Sequence, residues 1–355
     1  MKRLRTYAQA INEAQEIAMR RDPSVFVIGE GVPDPKGIFG TTVGLAAKFP
    51  GRVMDMPVAE SGMTGICVGA AIAGMRPIMV HARMDFTIYA LDAIINTAAK
   101  WHFMFGGKQN VPMVIRMIIG RGWGPGPQHS QALQALYAHI PGLSVVMPAT
   151  PHDAKGMLLS GVTDDHPVIF IEHRWLHGIA VPVPEPFYTI PIGKARVAKK
   201  GTDVTIVSAS YMTVEAMRVS PWLTRAGVSA EIVDLRSIRP LDVQTILASV
   251  GKTRRLIVAD TGWKSFGIGA EIITRIAEAG IPLDRPPVRI ALPDMLTPTS
   301  HALAAEYYPT SVDIARNALI LCDKKKTDVQ KAIRAYAATL TGSSDQPDPT
   351  FTGPF

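Results

Sequence analysis

Two α/β/α domains, each a mostly parallel sheet between layers of helix, are the fold this sequence predicts. Three observations carry that prediction. Short apolar runs alternate with helical stretches along almost the whole chain, the pattern of helices packed on parallel strands. A length of 355 residues suffices for about two domains of ~150 residues each. The alternation is interrupted once, by the proline-rich stretch 179–193 (Pro182, Pro184, Pro186, Pro191), which has little helical periodicity.

The elements follow in order. The chain starts with a helical pattern that puts Ile11, Ala14 and Ile17 on one face. Strands are expected at 25–28, 53–54, 78–80, 113–117, 144–147 and 168–171, with helices at 63–73, 89–100 and 151–163 between them. After the proline-rich stretch, strands are expected at 204–208, 230–235, 255–260 and 288–291. The helices between these cover 214–226, 242–250 and 268–279, and Gly227 and Gly280 supply left-handed residues after two of them. This divides the chain into a first domain (1–178), a linker (179–200), a second domain (201–340) and a tail (341–355). The tail's Gly-Ser-Ser-Asp-Gln-Pro-Asp-Pro composition predicts an extended or disordered arm.

Composition removes several function classes. Apolar residues at 47% against 19% charged, with mean hydropathy +0.15, exclude disorder over most of the length. Two cysteines, Cys67 and Cys322, cannot build a disulfide framework or a cysteine metal cluster, and they favour a reducing, cytoplasmic setting. The net charge of +7 is dispersed, and its densest run, Lys324–Lys326, reads as a solvated face, so no nucleic-acid partner is expected. No stretch reaches the ~18–20 apolar residues of a membrane span; the nearest, 65–75, stops at Arg76-Pro77. Phosphate-loop, dinucleotide, nucleophile-elbow and zincin motifs are all absent: the Gly120–Gly126 run is not G-x-G-x-x-G, and Gly251-Lys252-Thr253 lacks its upstream glycine.

Two segments stand out. In Asp55–Gly65 a carboxylate, Glu60, sits between a strand and a helix of small residues. From position alone it reads as a first-turn acid complementing the helix dipole. In Gln128-His129-Ser130-Gln131 a histidine closes the Gly/Pro loop, where a lone histidine is ordinarily a surface or packing residue.

Taken in order, however, V-F-V-I-G-E (Val25–Glu30), M-P-V-A-E-S-G (Met56–Gly62), the run Asp85–Lys100, P-Q-H-S-Q (Pro127–Gln131), H-I-P-G-L-S-V-V-M-P (His139–Pro148) and P-H-D-A-K-G-M-L (Pro151–Leu158) form a pattern. It continues through D-V-T-I-V (Asp203–Val207), I-V-D-L-R-S-I-R-P-L-D (Ile232–Asp242) and G-A-E-I (Gly269–Ile272). Over about 320 residues the chain resembles the β subunit of thiamine-diphosphate-dependent 2-oxoacid dehydrogenases, the E1 component of the pyruvate and branched-chain complexes. The resemblance implies a transketolase-type pyrimidine-binding domain followed by a transketolase C-terminal domain.

It also implies roles. Glu60 matches the glutamate that shares a proton with the aminopyrimidine ring and so activates the cofactor, which itself carries the chemistry. Phe86 matches the aromatic residue packed on the pyrimidine face, and His129 the active-site histidine near the substrate and the lipoyl acceptor. Glu30 and Asp92 match carboxylates around the cofactor and in an acidic tunnel between two active sites, with Tyr89 beside the pyrimidine pocket. By position, the backbone carbonyls of Met113, Gly161, Val162, Asp164 and His166 match a monovalent-cation site of the K⁺ type.

Some features depart from the family pattern: Tyr89 replaces a small or acidic residue, Arg121 and Trp123 enlarge the substrate loop, and one strand ends Glu172-His173-Arg174-Trp175. The Gly-Asp-Gly segment by which thiamine enzymes hold the diphosphate through Mg²⁺ is absent. The resemblance therefore implies half an enzyme, an α2β2 assembly in which an α-type subunit holds Mg²⁺ and the diphosphate. The expected reaction is decarboxylation of a 2-oxoacid such as pyruvate, with acyl transfer to the lipoyl group of an E2 acyltransferase or to another acceptor. Two alternatives are the C-terminal half of a split transketolase acting on sugar phosphates and a catalytically silent scaffold subunit.

Overall fold

The structure, a computed structural model, describes residues 3–121 and 126–340. The predicted arm at 341–355 and the loop residue Trp123 lie outside the described residues. The first domain is built on a seven-stranded sheet in the order Ser237–Arg239, Ser144–Val146, Val168–His173, Val114–Ile119, Arg76–His81, Val25–Gly29, Val53–Met54. Six of these strands run parallel and are almost wholly buried, as strands covered by helices on both faces must be. The helices Tyr7–Arg21 and Pro151–Thr163 pack together on one face. Each has a threonine N-cap: Thr6 forms a capping box with Gln9, and Thr150 accepts from Asp153 N with Pro151 in the first turn. The opposite face carries the helix Glu60–Ile72 and the segment 84–104.

The second domain has a five-stranded sheet in the order Val288–Leu292, Leu256–Trp263, Val204–Ser208, Ala230–Asp234, Arg196–Lys199; the last strand is antiparallel. Three helices that the sequence pattern did not single out, His301–Tyr307, Ser311–Leu321 and Lys326–Ala337, complete this domain.

Three features differ from expectation. The stretch 89–100 is no regular α-helix: a 3₁₀ turn spans Met84–Ala90, a π-helical stretch Asp92–Ala98 and a short α-helix Ala99–Met104. The Thr87 hydroxyl donates to the Met84 carbonyl at 2.6 Å and competes with regular helical pairing. The proline-rich segment is tied down at both ends, by Ala180–Pro182 pairing with Leu4–Thr6 and by Arg196–Lys199 joining the second sheet. Finally, Ser237–Arg239 crosses over to pair antiparallel with Ser144–Val146, so the second domain supplies an edge strand to the first. One apolar core runs on from Ile169 and Ile171 through Ile238 to Val207 and Val258.

Candidate active site

The carboxyl ends of the first sheet's parallel strands converge where ligands ordinarily bind in open α/β sheets. Glu30 follows directly on Val25–Gly29. A Cβ at Gly29 would lie 2.3 Å from the Val80 carbonyl oxygen, so only glycine lets that strand end tightly against Arg76–His81 and deliver Glu30 to the edge. Asp55 braces the next turn, accepting from Gly31 N and Met56 N, each at 2.9 Å. Glu60 opens the helix Glu60–Ile72 and is buried, with no side-chain cap from Ala59. Its carboxylate therefore complements the helix N-terminus as well as facing Glu30.

The Glu60 charge acts on Glu30. Burial first, then the charges of Glu60 and Asp55, raise the Glu30 carboxyl above the ordinary carboxylate range. Glu30 Oε1 is buried with no hydrogen-bond partner among the described residues. His81, at the end of the neighbouring strand, is pushed down to about 4 by burial and is neutral near pH 7.

Phe86 lies in the 3₁₀ turn packed on the Glu60 helix, half-buried. His129 meets its ring edge-on, with centroids 5.2 Å apart and planes at 83°. The sequence did not flag what holds His129 there. Asp85 Oδ1 accepts from Gln131 N at 3.1 Å and from Gln131 Nε2 at 3.0 Å, and Leu133 N donates to Met84 Sδ at 3.1 Å. The structure thus brings Glu30, Glu60, Phe86 and His129 to one end of the sheet. Tyr89, 69% exposed, and Asp92, which accepts from Asn96 Nδ2 at 2.7 Å, stand out on the surface of the same segment.

The five carbonyl positions lie close together, Met113 just before the strand Val114–Ile119, Gly161 and Val162 in the last turn of the helix Pro151–Thr163, and Asp164 and His166 just after it. Arg76 Nη1 donates to the carbonyls of Val162 (3.0 Å) and Asp164 (2.8 Å), and Met113 O accepts from Val168 N at 2.9 Å. Each carbonyl retains a second lone pair.

An orphaned carboxylate oxygen beside a second carboxylate and an aromatic face fits an aminopyrimidine, a flat ring rich in nitrogen donors and acceptors. Comparison with known proteins agrees. Residues 4–178 match the family model described as the transketolase pyrimidine binding domain, and residues 193–314 that of the transketolase C-terminal domain. The chain is 42% identical over 323 residues to pyruvate dehydrogenase E1 component subunit beta-1, mitochondrial, of Oryza sativa subsp. japonica, covering 89% of this chain and 86% of that protein. It is 41% identical to acetoin:2,6-dichlorophenolindophenol oxidoreductase subunit beta of Cupriavidus necator (86% and 94% covered). To the Homo sapiens pyruvate dehydrogenase E1 component subunit beta it is 40% identical (87% and 88%). A solved split-gene transketolase, described as an inactive β4 tetramer, superposes with a TM-score of 0.71 at 21% identity, covering 93% of this chain and 98% of that one, and shows the shared fold. Membership of this family implies thiamine diphosphate as cofactor, and the chain belongs to the E1 β-subunit family of thiamine-diphosphate-dependent 2-oxoacid dehydrogenases, within the transketolase-like superfamily.

Proposed function

We propose that the chain is the pyrimidine-holding half of an α2β2 enzyme that decarboxylates a 2-oxoacid, pyruvate first among candidates, and passes the acyl group to a lipoyl acceptor. The observation that carries this reading is the Glu30–Glu60 pair, with a buried Glu30 oxygen unpartnered among the described residues and with Phe86 and His129 at the same end of the sheet. Thiamine diphosphate, when bound, supplies the carbon nucleophile and electron sink that decarboxylation needs. Glu60 holds and returns a proton at the pyrimidine nitrogen. Glu30, more easily protonated than an ordinary carboxyl, keeps a proton available to that pair. Phe86 gives the ring an apolar face and excludes water from it. His129, fixed edge-on to Phe86, is placed to move a proton at the acceptor side.

The absence of a Gly-Asp-Gly segment supports an α-type subunit as the holder of Mg²⁺ and the diphosphate. Among the described residues, no group of three or more His, Cys, Asp or Glu side chains could hold a metal ion. A K⁺-type ion on the carbonyls of Met113, Gly161, Val162, Asp164 and His166 rests on the family resemblance alone, and the Arg76 guanidinium already bonds those of Val162 and Asp164. The outer face of the Glu60 helix supports burial between subunits. Gly62, Gly65 and Gly69 are exposed, a Cβ on any of them would touch nothing within 4 Å, and Ile66 is 60% exposed. Both cysteines are free thiols, which supports a reducing, cytoplasmic setting. An acetoin-cleaving role is a second reading, favoured by the comparable 41% identity to the Cupriavidus necator subunit.

Co-expression with an α-type subunit, followed by a panel of 2-oxoacids and acetoin with thiamine diphosphate and Mg²⁺, tests the proposal. Pyruvate-dependent CO₂ release by the pair and none by the isolated chain is the expected result. Turnover by the isolated chain, or a pair silent toward every 2-oxoacid, contradicts it.

A further inference from the structure

Arg121 stands two residues beyond the strand Val114–Ile119. Its side chain is buried, yet among the described residues no carboxylate pairs with it. Instead its guanidinium carbon lies 4.7 Å from the ring centre of Trp175, 4.9 Å from that of Tyr211 and 5.2 Å from that of Tyr308. Three ring faces around one desolvated cation form an aromatic cage, which holds a planar guanidinium well. Nη1 also donates to the Pro309 carbonyl at 2.8 Å. The cage walls are fixed in turn: His173 stacks on Tyr211 at 4.9 Å, and Trp175 meets Tyr211 edge-on at 5.3 Å.

Trp175 and His173 belong to the first domain, and Tyr211, Tyr308 and Pro309 to the second. Gly126 touches the second domain as well. Gly126 has φ +69°, and a Cβ there would lie 2.6 Å from Thr299 Oγ1. Ser130, next to His129, lines one small cavity together with Arg121, His173 and Tyr308. The second domain therefore touches both Arg121 and Gly126, while His129 lies against Phe86 in the first domain.

We propose that Arg121 is a positioning residue for His129: its cage across the domain seam holds it against the small cavity that Ser130, next to His129, also lines, so that the second domain sets the placement of a histidine it does not carry. The proposal rests on the assignment of His129 to the acceptor step. A mere strut between domains would also fill the cage, and the test separates the two.

In the holoenzyme reconstituted with the α-type subunit, Arg121→Gln, Arg121→Lys, His129→Ala and the double variant Arg121→Gln/His129→Ala are compared with lipoamide as acceptor. Arg121→Gln is expected to lower kcat by about 10- to 100-fold, the loss that follows from small misplacement of a reacting group, and to leave thiamine diphosphate affinity unchanged. The double variant should be no slower than His129→Ala, and Arg121→Lys should recover part of kcat. Additive losses in the double variant, or weakened cofactor binding with kcat intact, would make Arg121 a strut and overturn the proposal. A silent His129→Ala would remove both the acceptor-step assignment and the positioning role, an outcome distinct from additivity. If Arg121→Gln does not assemble, Tyr308→Leu, which removes one cage wall, carries the same comparison: a loss absent in the His129→Ala background supports the proposal, and an additive loss overturns it.

Discussion

Asp85 Oδ1 accepts two hydrogen bonds from Gln131, one from its backbone N–H and one from its side-chain amide, across 46 positions of sequence. This bond joins the turn that carries Phe86 to the segment that carries His129. Asp85 is buried, and burial raises its carboxyl above the ordinary range, while the two Gln131 bonds favour the charged form.

Asp85→Ala should therefore do two things at once. Two half-buried donors lose their acceptor, at a cost of about 1 kcal/mol each, and the edge-on contact of His129 with Phe86 loosens. Asp85→Asn keeps an acceptor oxygen and should retain most of both. Denaturant titration of the chain and kcat of the reconstituted enzyme read the two effects. Equal behaviour of the Ala and Asn variants would show that the bond does not matter.

Asp260 makes a pH prediction. It is buried within the strand Leu256–Trp263 of the second domain and accepts from Gln134 Nε2 at 2.7 Å; burial raises its pKa from 3.8 to about 6. A raised acid favours the folded state in its protonated form. That contribution is full below pH 3.8 and is lost as pH rises to about 6. Asp260→Asn stays neutral, so the stability of wild type relative to the variant should fall through that window, by on the order of 3 kcal/mol, and stay level above pH 7. Thermal midpoints of both proteins from pH 4 to 8 check this; parallel curves would mean that Asp260 ionises freely in the fold.

The small-residue face of the Glu60 helix predicts assembly. Gly69 has open space around it within one chain, so Gly69→Arg should leave the isolated fold intact. Placed in an interface, the arginine buries an unpaired charge at a cost of about 2 kcal/mol or more. Light scattering coupled to size exclusion should find the wild-type chain at least dimeric and the variant shifted to smaller species. A wild-type monomer of 38.3 kDa at micromolar concentration would contradict the prediction.

Much of this was legible in the sequence, for identifiable reasons. Val204–Ser208 is buried at every position, and a short apolar run between turn signals marks such a strand. Glu60, Phe86 and His129 are legible through motif order, because each belongs to a local stretch of characteristic residues. The segment 84–104 is not, because its apolar spacing suits an α-helix while Thr87 and its neighbours draw it into 3₁₀ and π turns. Ser237–Arg239 is too short to announce itself, and its partner lies in the other domain. Asp85–Gln131 and the Arg121 cage depend on which distant groups meet, and no local pattern specifies that.

The central claim is that Glu60 exchanges a proton with the cofactor's pyrimidine ring. Glu60→Gln preserves shape and burial at the first turn of its helix and removes only the ionisable group. In the enzyme reconstituted with an α-type subunit and saturated with thiamine diphosphate and Mg²⁺, kcat is the direct measurement. The account predicts a loss of about 10²-fold or more, as expected for a proton-transfer group, with assembly unchanged. A Glu60→Gln enzyme that keeps most of its kcat would show that this carboxylate does not activate the cofactor.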